Sequence, residues 1–208
     1  RDRYINSIVP SILKTFDTTN SVGEADQMME YAEECIVAIG FVCEDIDMIL
    51  IELYKGLKDT MHYTPSNAVR RATCEIVQAM YGERVEMSPT NHVDTLEELM
   101  KQLDHIEQEV RLGAWNAIST MVRTIAPKGD DHALMSFVAP ARANFGRLKD
   151  AGRREHGEEW NLAGLNVPKG LDPFVDIYQR ALLKGNEEQR QAGAAGLGEL
   201  PYNHPRTP

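Results

Sequence analysis

The chain has 208 residues, with 32 acidic and 22 basic side chains and a net charge of −10 at pH 7. This acidic balance argues against a general nucleic-acid surface, because phosphate binding needs a clustered cationic footprint. No apolar run approaches the roughly 20 residues of a membrane helix, so we expect no membrane partner. Three cysteines without metal-type spacing suit a reducing cytoplasm. Because the chain begins at Arg1 and ends in a Pro-rich tail, we expect a fragment of something longer.

Apolar residues at helical spacing predict six helices in the first 125 residues. Pro10 lies inside the first of them, which predicts a kink or a helix start near that residue. Thr64-Pro65 and Ser88-Pro89 are each typical of an N-cap followed by Pro at the first helical position. The predicted helices cover about residues 3–17, 24–40, 45–59, 65–81, 89–104 and 107–125.

A sequence echo accompanies these helices. Val69-Arg70-Arg71-Ala72 returns 41 residues later as Val110-Arg111-Leu112-Gly113-Ala114, Met28 lies 41 residues upstream of Val69, and Arg190 lies 120 residues after Arg70. A weak echo at a period of about 40 residues is typical of stacked helix pairs, although chance similarity between amphipathic helices would also produce one. We therefore predict an all-α fold, a HEAT-like α-solenoid of stacked helix pairs, over residues 1–151. Its core should include Ile76, Trp115, Ile118 and Met121.

The pattern changes after Pro127 and Gly129. Residues 131–151 suggest two short helices interrupted by Pro140, and residues 152–170 are predicted to form a long irregular loop in place of a repeat helix. A loop of that length inside a solenoid is more often functional or disordered than a plain connector. Residues 171–200 should form a final HEAT-like helix pair, starting at Asp172-Pro173 and continuing after an Asn186 cap. Residues 201–208 are a tail.

Motifs for catalysis or metal binding are missing from the sequence. The six histidines never form a ligand pair at helical spacing, and the CxxC and HExxH patterns are absent. Neither a Gly-rich phosphate loop nor a GxSxG elbow occurs. Paired acids such as Glu97-Glu98 are typical of solvated helix faces. We therefore predict a protein that is not an enzyme and that needs no cofactor or metal.

A basic cluster stands out from this acidic background. Residues 142–154 contain five basic side chains and one acidic side chain, for a local net charge of +4. One interpretation is an exposed basic helix end beside a loop. The other is a docking patch for an acidic partner domain, since arginine suits bidentate recognition of carboxylates. The basic residues are Arg142, Arg147, Lys149, Arg153 and Arg154.

Several motifs carry a family resemblance. Trp115-Asn116-Ala117-Ile118, Val167-Pro168-Lys169-Gly170 and Gly185-Asn186-Glu187-Glu188-Gln189-Arg190 resemble the C-terminal HEAT region of general control non-derepressible protein 1. That protein is the translational activator of the initiation factor 2-alpha kinase. The order and spacing of the motifs carry the resemblance, which covers most of the chain. Residues 153–161 depart from the family pattern.

The resemblance implies a function. This region of the family holds the RWD domain at the N-terminus of the kinase, and the RWD domains of other regulators compete for it. The parent protein acts on stalled or colliding ribosomes in the cytoplasm and relays amino-acid starvation.

Applied to this chain, the resemblance places the family's arginine on Arg147 and an aromatic residue near Tyr178. Arg142, Lys149 and Arg180 complete the expected partner contact. Two other classes stay open, namely a generic HEAT adaptor for another protein and a ribosome- or RNA-contacting scaffold segment.

Overall fold

The computed structural model describes residues 4–18, 22–103, 105–125, 131–143 and 172–200, and within these ranges it contains helices and turns but no strand. The predicted all-α fold is therefore confirmed. None of the described helices is both long enough and apolar enough to cross a membrane. The helices are α1 (Ile5–Thr15), α2 (Val22–Val42), α3 (Ile46–Lys55), α4 (Asn67–Gly82), α5 (Pro89–Met100), α6 (Gln108–Ile125), α7 (Asp131–Ser136), α8 (138–143), α9 (Asp172–Lys184) and α10 (Glu187–Glu199).

The chain divides into two compact units. Unit 1 spans Arg1–Met121 and unit 2 spans Val122–Pro208. Within unit 1, the first helices of successive pairs pack side by side, α1 against α3 and α3 against α5, and the second helices α2 and α4 do the same. Contact between like helices of neighbouring pairs is the packing of a repeat array. Within unit 2, α9 packs against α7 and most extensively against α10.

The core of unit 1 follows the apolar stripes of the sequence echo. All the stripe residues of α4 and of the first four turns of α6 are fully buried, including Ile76, Ile118 and Met121 as predicted. Trp115 is buried as well, with 1 % of its surface exposed. A helix turns about 100° per residue, so residues spaced by three and four face the same side. The stripes therefore bury one continuous face of each second helix.

The predicted helix starts are partly confirmed. Ser88 caps α5 with Pro89 at the first position, and the Ser88 hydroxyl accepts a hydrogen bond from the Asn91 amide at 3.2 Å. The other start is wrong, because Ser66 rather than Thr64 caps α4 and accepts from the Val69 amide at 3.2 Å. Ser66 lies three residues before Val69, which is the spacing that a capping hydroxyl needs.

Three other features bear on the predicted element bounds. α1 begins at Ile5 and runs through Pro10, so a helix start at Pro10 is wrong. α3 ends at Lys55, earlier than predicted, with Gly56 as its C-cap. Asn186 and Gln189 form the predicted capping box of α10, each side chain accepting from the other's backbone N–H. The predicted loop at 152–170 lies outside the described residues, and the domain boundaries that it sets stay predictions.

Candidate functional site

Arg142 of α8 forms an ion pair with Glu199, the last residue of α10. Its Nε donates to Glu199 Oε2 at 3.3 Å, and its Nη2 donates to Glu199 Oε1. Two donors on two oxygens make the bidentate geometry that carboxylate recognition favours. The two side chains keep 36 % and 42 % of their surface exposed, so the pair lies at the surface of unit 2. Arg142 is therefore held in a fixed orientation while its guanidinium remains reachable from solvent.

Tyr178 of α9 lies beneath this pair. Its side chain is fully buried, and Gly196 of α10 packs over its ring, so that a Cβ added at 196 would lie 2.7 Å from ring atoms. Burial raises the pKa of the Tyr178 phenol, the negative charge of Glu199 raises it further, and Arg142 acts in the opposite direction. Among the described residues, no group hydrogen-bonds the Tyr178 hydroxyl. Tyr178 thus lies close enough to the ion pair for both charges to act on its phenol.

The other predicted contact residues are placed differently. Arg180 is half-buried and lies two residues after Tyr178, about 200° around α9, so its side chain leaves the helix on another side. Arg147 and Lys149 lie outside the described residues. The structure therefore brings Arg142 and Tyr178 to one place, and the partner roles of all five residues stay predictions.

Unit 1 contains a second cluster of polar side chains, centred on Arg70. The Arg70 side chain is only 7 % exposed, and its Nη1 donates to the Leu57 carbonyl and to Gln102 Oε1, the latter at 3.2 Å. Gln102 Nε2 donates to the same Leu57 carbonyl at 3.1 Å. Asp59, which is largely exposed, pairs with the remaining side of the guanidinium. Arg70 thus ties the turn after α3 to the end of α5.

Arg111, the echo of Arg70 in the next repeat, also donates hydrogen bonds to backbone carbonyls. Arg111 Nη1 donates to the carbonyls of His105 and Ile106, at 2.6 and 2.7 Å. Both arginines follow the valine of the repeated motif, and both bind backbone carbonyls of the turn that precedes their own helix. Arg190, the third echo, is instead exposed on α10. In unit 1, the repeated arginine therefore stabilises the turn that precedes its own helix.

Comparison with known proteins identifies the family. The sequence profile of the family described as "Stalled ribosome sensor GCN1-like, HEAT repeats" matches residues 2–169. The chain belongs to this family. It is also 24 % identical over 204 residues to "Protein ILITYHIA" of Arabidopsis thaliana, a match that covers 95 % of this chain and 7 % of that relative. The chain thus spans a small fraction of the relative's length. No solved structure matches it.

The match to the GCN1-like family covers the whole basic cluster but not all five predicted contact residues. Residues 2–169 include Arg142, Arg147 and Lys149, whereas Tyr178 and Arg180 lie beyond the matched range. Family membership makes this chain a helical-repeat scaffold. Among the described residues there is no group of three or more His, Cys, Asp or Glu side chains that could hold a metal ion. The Arg70 cluster joins the turn after α3 to the end of α5 through side-chain hydrogen bonds.

Sequence reasoning missed two residues of these clusters. Glu199 was not expected to orient Arg142, although it lies three residues after Gly196 and so on the same face of α10. Arg70 stood in the motif that revealed the repeat, yet nothing in that motif indicated that its guanidinium is buried. The sequence feature that came nearest to indicating a structural role for Arg70 was the recurrence of arginine at the matching position, Arg111.

Proposed function

We propose that this chain is a protein-interaction segment of a larger, ribosome-associated parent and that it binds the RWD domain of the initiation factor 2-alpha kinase. By holding that domain, it recruits and activates the kinase during amino-acid starvation, and RWD domains of other regulators compete for the same surface. It works by binding alone, without a catalytic group or cofactor. The observation that carries the proposal is the match of residues 2–169 to the stalled-ribosome-sensor family.

The proposed contact residues are Arg142, Arg147 and Lys149 of the basic cluster, together with Arg180 of α9. Its local charge of +4 in a chain of net charge −10 favours an acidic face on the partner. The bidentate Arg142–Glu199 pair supports this view, because the guanidinium already binds a carboxylate of its own chain in the geometry that an acidic partner would offer. Tyr178 is buried, so its contribution would be indirect, through its packing against Gly196 of α10.

The existing pair with Glu199 does not prevent Arg142 from binding a partner. Exposed ion pairs contribute only about 0–1 kcal/mol, since water screens both charges. Exchange of Glu199 for a carboxylate of an RWD domain therefore costs little. Once a partner excludes water from the surface, the same contact becomes stronger.

Titration calorimetry with the kinase's RWD domain tests the proposal. Truncation of an arginine that anchors an interface typically costs ~2 kcal/mol or more, which corresponds to about a 30-fold loss of affinity. Arg147→Glu should cost at least that, because like charges would then face each other. Lys14→Glu, which makes the same charge change on the exposed surface of α1, should bind as wild type does. Helicity and melting temperature should be unchanged in both variants.

The other outcomes separate the alternatives. Wild-type affinity in Arg147→Glu would place the site elsewhere, and unfolding of that variant would make Arg147 a structural residue. A wild-type chain that does not bind the RWD domain at all would favour a generic HEAT adaptor. Binding to RNA that weakens steeply with salt would favour a ribosome- or RNA-contacting segment.

A further inference from the structure

The turns of unit 1 form a cavity of about 540 Å³ that is open to solvent. It lies where the second and third helix pairs meet, and we refer to it as the turn pocket. Its wall consists of residues 57–59 in the turn after α3, Arg70 of α4, residues 98–102 at the end of α5, and residues 105–106 in the next turn. A cavity of this size is within the range of about 300–1,000 Å³ that is usual for binding pockets.

The turn pocket has a rigid wall. The guanidinium of Arg70, the amide of Gln102 and the carbonyl of Leu57 hold one another in a hydrogen-bonded group of three. Arg70 and Gln102 are both about nine-tenths or more buried, so their positions are fixed by the surrounding packing. The pocket is therefore preformed, which reduces the ordering cost of binding.

The charged side chains that line the pocket have a net charge of +1, since Lys58, Arg70 and Lys101 outnumber Asp59 and Glu98. Lys58 and Lys101 each place Nζ 2.9 Å from the same atom, Glu98 Oε1. The Glu98 side chain is 8 % exposed, and its second oxygen is buried without a hydrogen-bond partner among the described residues. The lysine side chains are 47 % and 38 % exposed. One buried carboxylate thus lies beneath two reachable ammonium groups.

Acidic side chains pair with the cations in and around the pocket. Asp59 is committed to Arg70, and Glu97 reaches Lys101 at 3.3 Å without lining the cavity. Burial lowers the pKa of His105, and the positive charges of Arg70 and Arg111 lower it further, against the opposing effects of Glu107 and Asp59.

The pocket also has an apolar edge. Ile106 lines it with 80 % of its surface exposed, and Met61, two residues beyond Asp59 on the turn after α3, is 90 % exposed. Large apolar side chains this exposed beside a preformed cavity are typical of interaction surfaces.

We propose that the turn pocket binds a short acidic segment of a protein partner. A carboxylate of that segment takes the free side of Lys58 and Lys101, and an apolar side chain next to it packs on Ile106. This surface belongs to unit 1, so it is separate from the RWD-binding surface proposed for unit 2.

A selection of random heptapeptides displayed on phage, with the whole chain as bait, tests this proposal. We expect acidic peptides that contain a large apolar residue to be enriched. Synthetic versions should bind Lys58→Gln at least about tenfold more weakly than wild type in fluorescence anisotropy. Lys101→Gln should weaken binding similarly, and Ile106→Ser should weaken it severalfold without a change in melting temperature.

Lys55→Gln is the matched control. Lys55 pairs at 2.6 Å with Glu52, another buried carboxylate, but it does not line the cavity, so this variant should bind the peptides as wild type does. Lys58→Gln leaves Lys101 on Glu98, which keeps the buried carboxylate paired and the fold intact. The proposal fails if no enriched peptide depends on Lys58, or if the enriched peptides are basic. It also fails if their affinity depends on Arg142→Gln instead.

Discussion

In unit 1, polar side chains reach from one repeat to the next. Tyr54 of α3 and Thr95 of α5 place their hydroxyl oxygens 2.7 Å apart, and they are 41 residues apart in the chain. Asn91 of α5 donates to Asp47 of α3 across 44 residues, and Gln102 donates to the Leu57 carbonyl across 45. These separations are close to the period of the sequence echo. In unit 2, α9 and α10 instead meet through Gly193 and Gly196.

The two regions therefore have opposite sensitivities. A hydrogen bond requires donor and acceptor at about 2.7–3.2 Å, so the polar pairs of unit 1 fix the register of neighbouring repeats. Because Gly193 and Gly196 have no Cβ, α9 and α10 can approach closely, and the contact leaves no space for a larger side chain. The inter-repeat hydrogen bonds of unit 1 should be damaged by losing atoms, and the glycine contacts between α9 and α10 by gaining them. The following substitutions test that contrast, beginning with a core residue that sets the scale.

Ile118→Ala should have the largest effect. Ile118 is fully buried in α6, so truncation loses transfer free energy and leaves a cavity. We expect the free energy of unfolding, measured by chemical denaturation, to fall by ~2–5 kcal/mol. Leu183→Ala on α9 is the control, because Leu183 is 77 % exposed and should change stability by less than about 0.5 kcal/mol. A loss below that value for Ile118→Ala would show that the assigned core face is wrong.

Arg70→Met should cost ~2–3 kcal/mol. Hydrogen bonds from a charged group contribute about 1.5–3 kcal/mol each, and Arg70 makes them to Leu57 and Gln102 inside unit 1. Asp59 is exposed and can return to water, which limits the loss. Arg71→Met, one residue along α4, removes a surface ion pair to Glu75 and should cost about 0–1 kcal/mol. Equal losses for the two variants would mean that the buried hydrogen bonds of Arg70 stabilise the protein no more than a surface ion pair does.

Gly193→Ala should destabilise the α9–α10 pair by ~1–3 kcal/mol through overpacking. The added Cβ would lie 2.7 Å from the Tyr178 carbonyl oxygen and 2.9 Å from the Leu182 nitrogen, and backbone atoms cannot move aside cheaply. Gly198→Ala lies in the same helix and meets no atom within 4 Å. It should stabilise the protein by up to ~1 kcal/mol, since alanine is the better helix former.

The opposite signs of the two glycine variants are the informative result. Thermal unfolding followed by circular dichroism gives both in one experiment. Stabilisation by Gly193→Ala would show that α9 and α10 have room to separate, and the contrast with unit 1 would then be lost.

Much of the fold was predictable because its determinants are local. The Val69 and Val110 stripes require only helical geometry, and the Ser88 and Asn186 caps depend on a residue three positions away. The Thr64 prediction was wrong although the cap is also local. Two hydroxyl residues lie close together there, and it is Ser66 that has the correct distance from the Val69 amide. A short-range pattern can identify such features, but it cannot choose between two adjacent candidates.

The polar sites were less predictable because their partners are distant in sequence. Arg142 is oriented by Glu199, 57 residues away, and Arg70 is satisfied by Gln102, 32 residues away. A charged side chain is usually assigned to the surface, since burial without partners is costly. Only the packed repeats show that Leu57 and Gln102 supply those partners to Arg70.

Tyr54→Phe should have the smallest effect and isolates one inter-repeat hydrogen bond. Burial raises the pKa of the Tyr54 phenol, so its hydroxyl is neutral at pH 7 and shares an ordinary hydrogen bond with Thr95. Phenylalanine keeps the ring and the packing, so the expected loss of ~0.5–1.5 kcal/mol reports the hydroxyl alone. Tyr31→Phe, whose hydroxyl lies on the exposed face of α2, should change stability by less than about 0.5 kcal/mol.

A double-mutant cycle with Thr95→Val assigns the loss to the pair. If the hydroxyls stabilise each other across the repeat boundary, the double variant should lose less than the sum of the single variants, with a coupling of about 0.5 kcal/mol or more. Additive losses would mean that Tyr54 and Thr95 act independently. In that case the 41-residue spacing would reflect apolar stacking, and polar side chains would not set the register of unit 1.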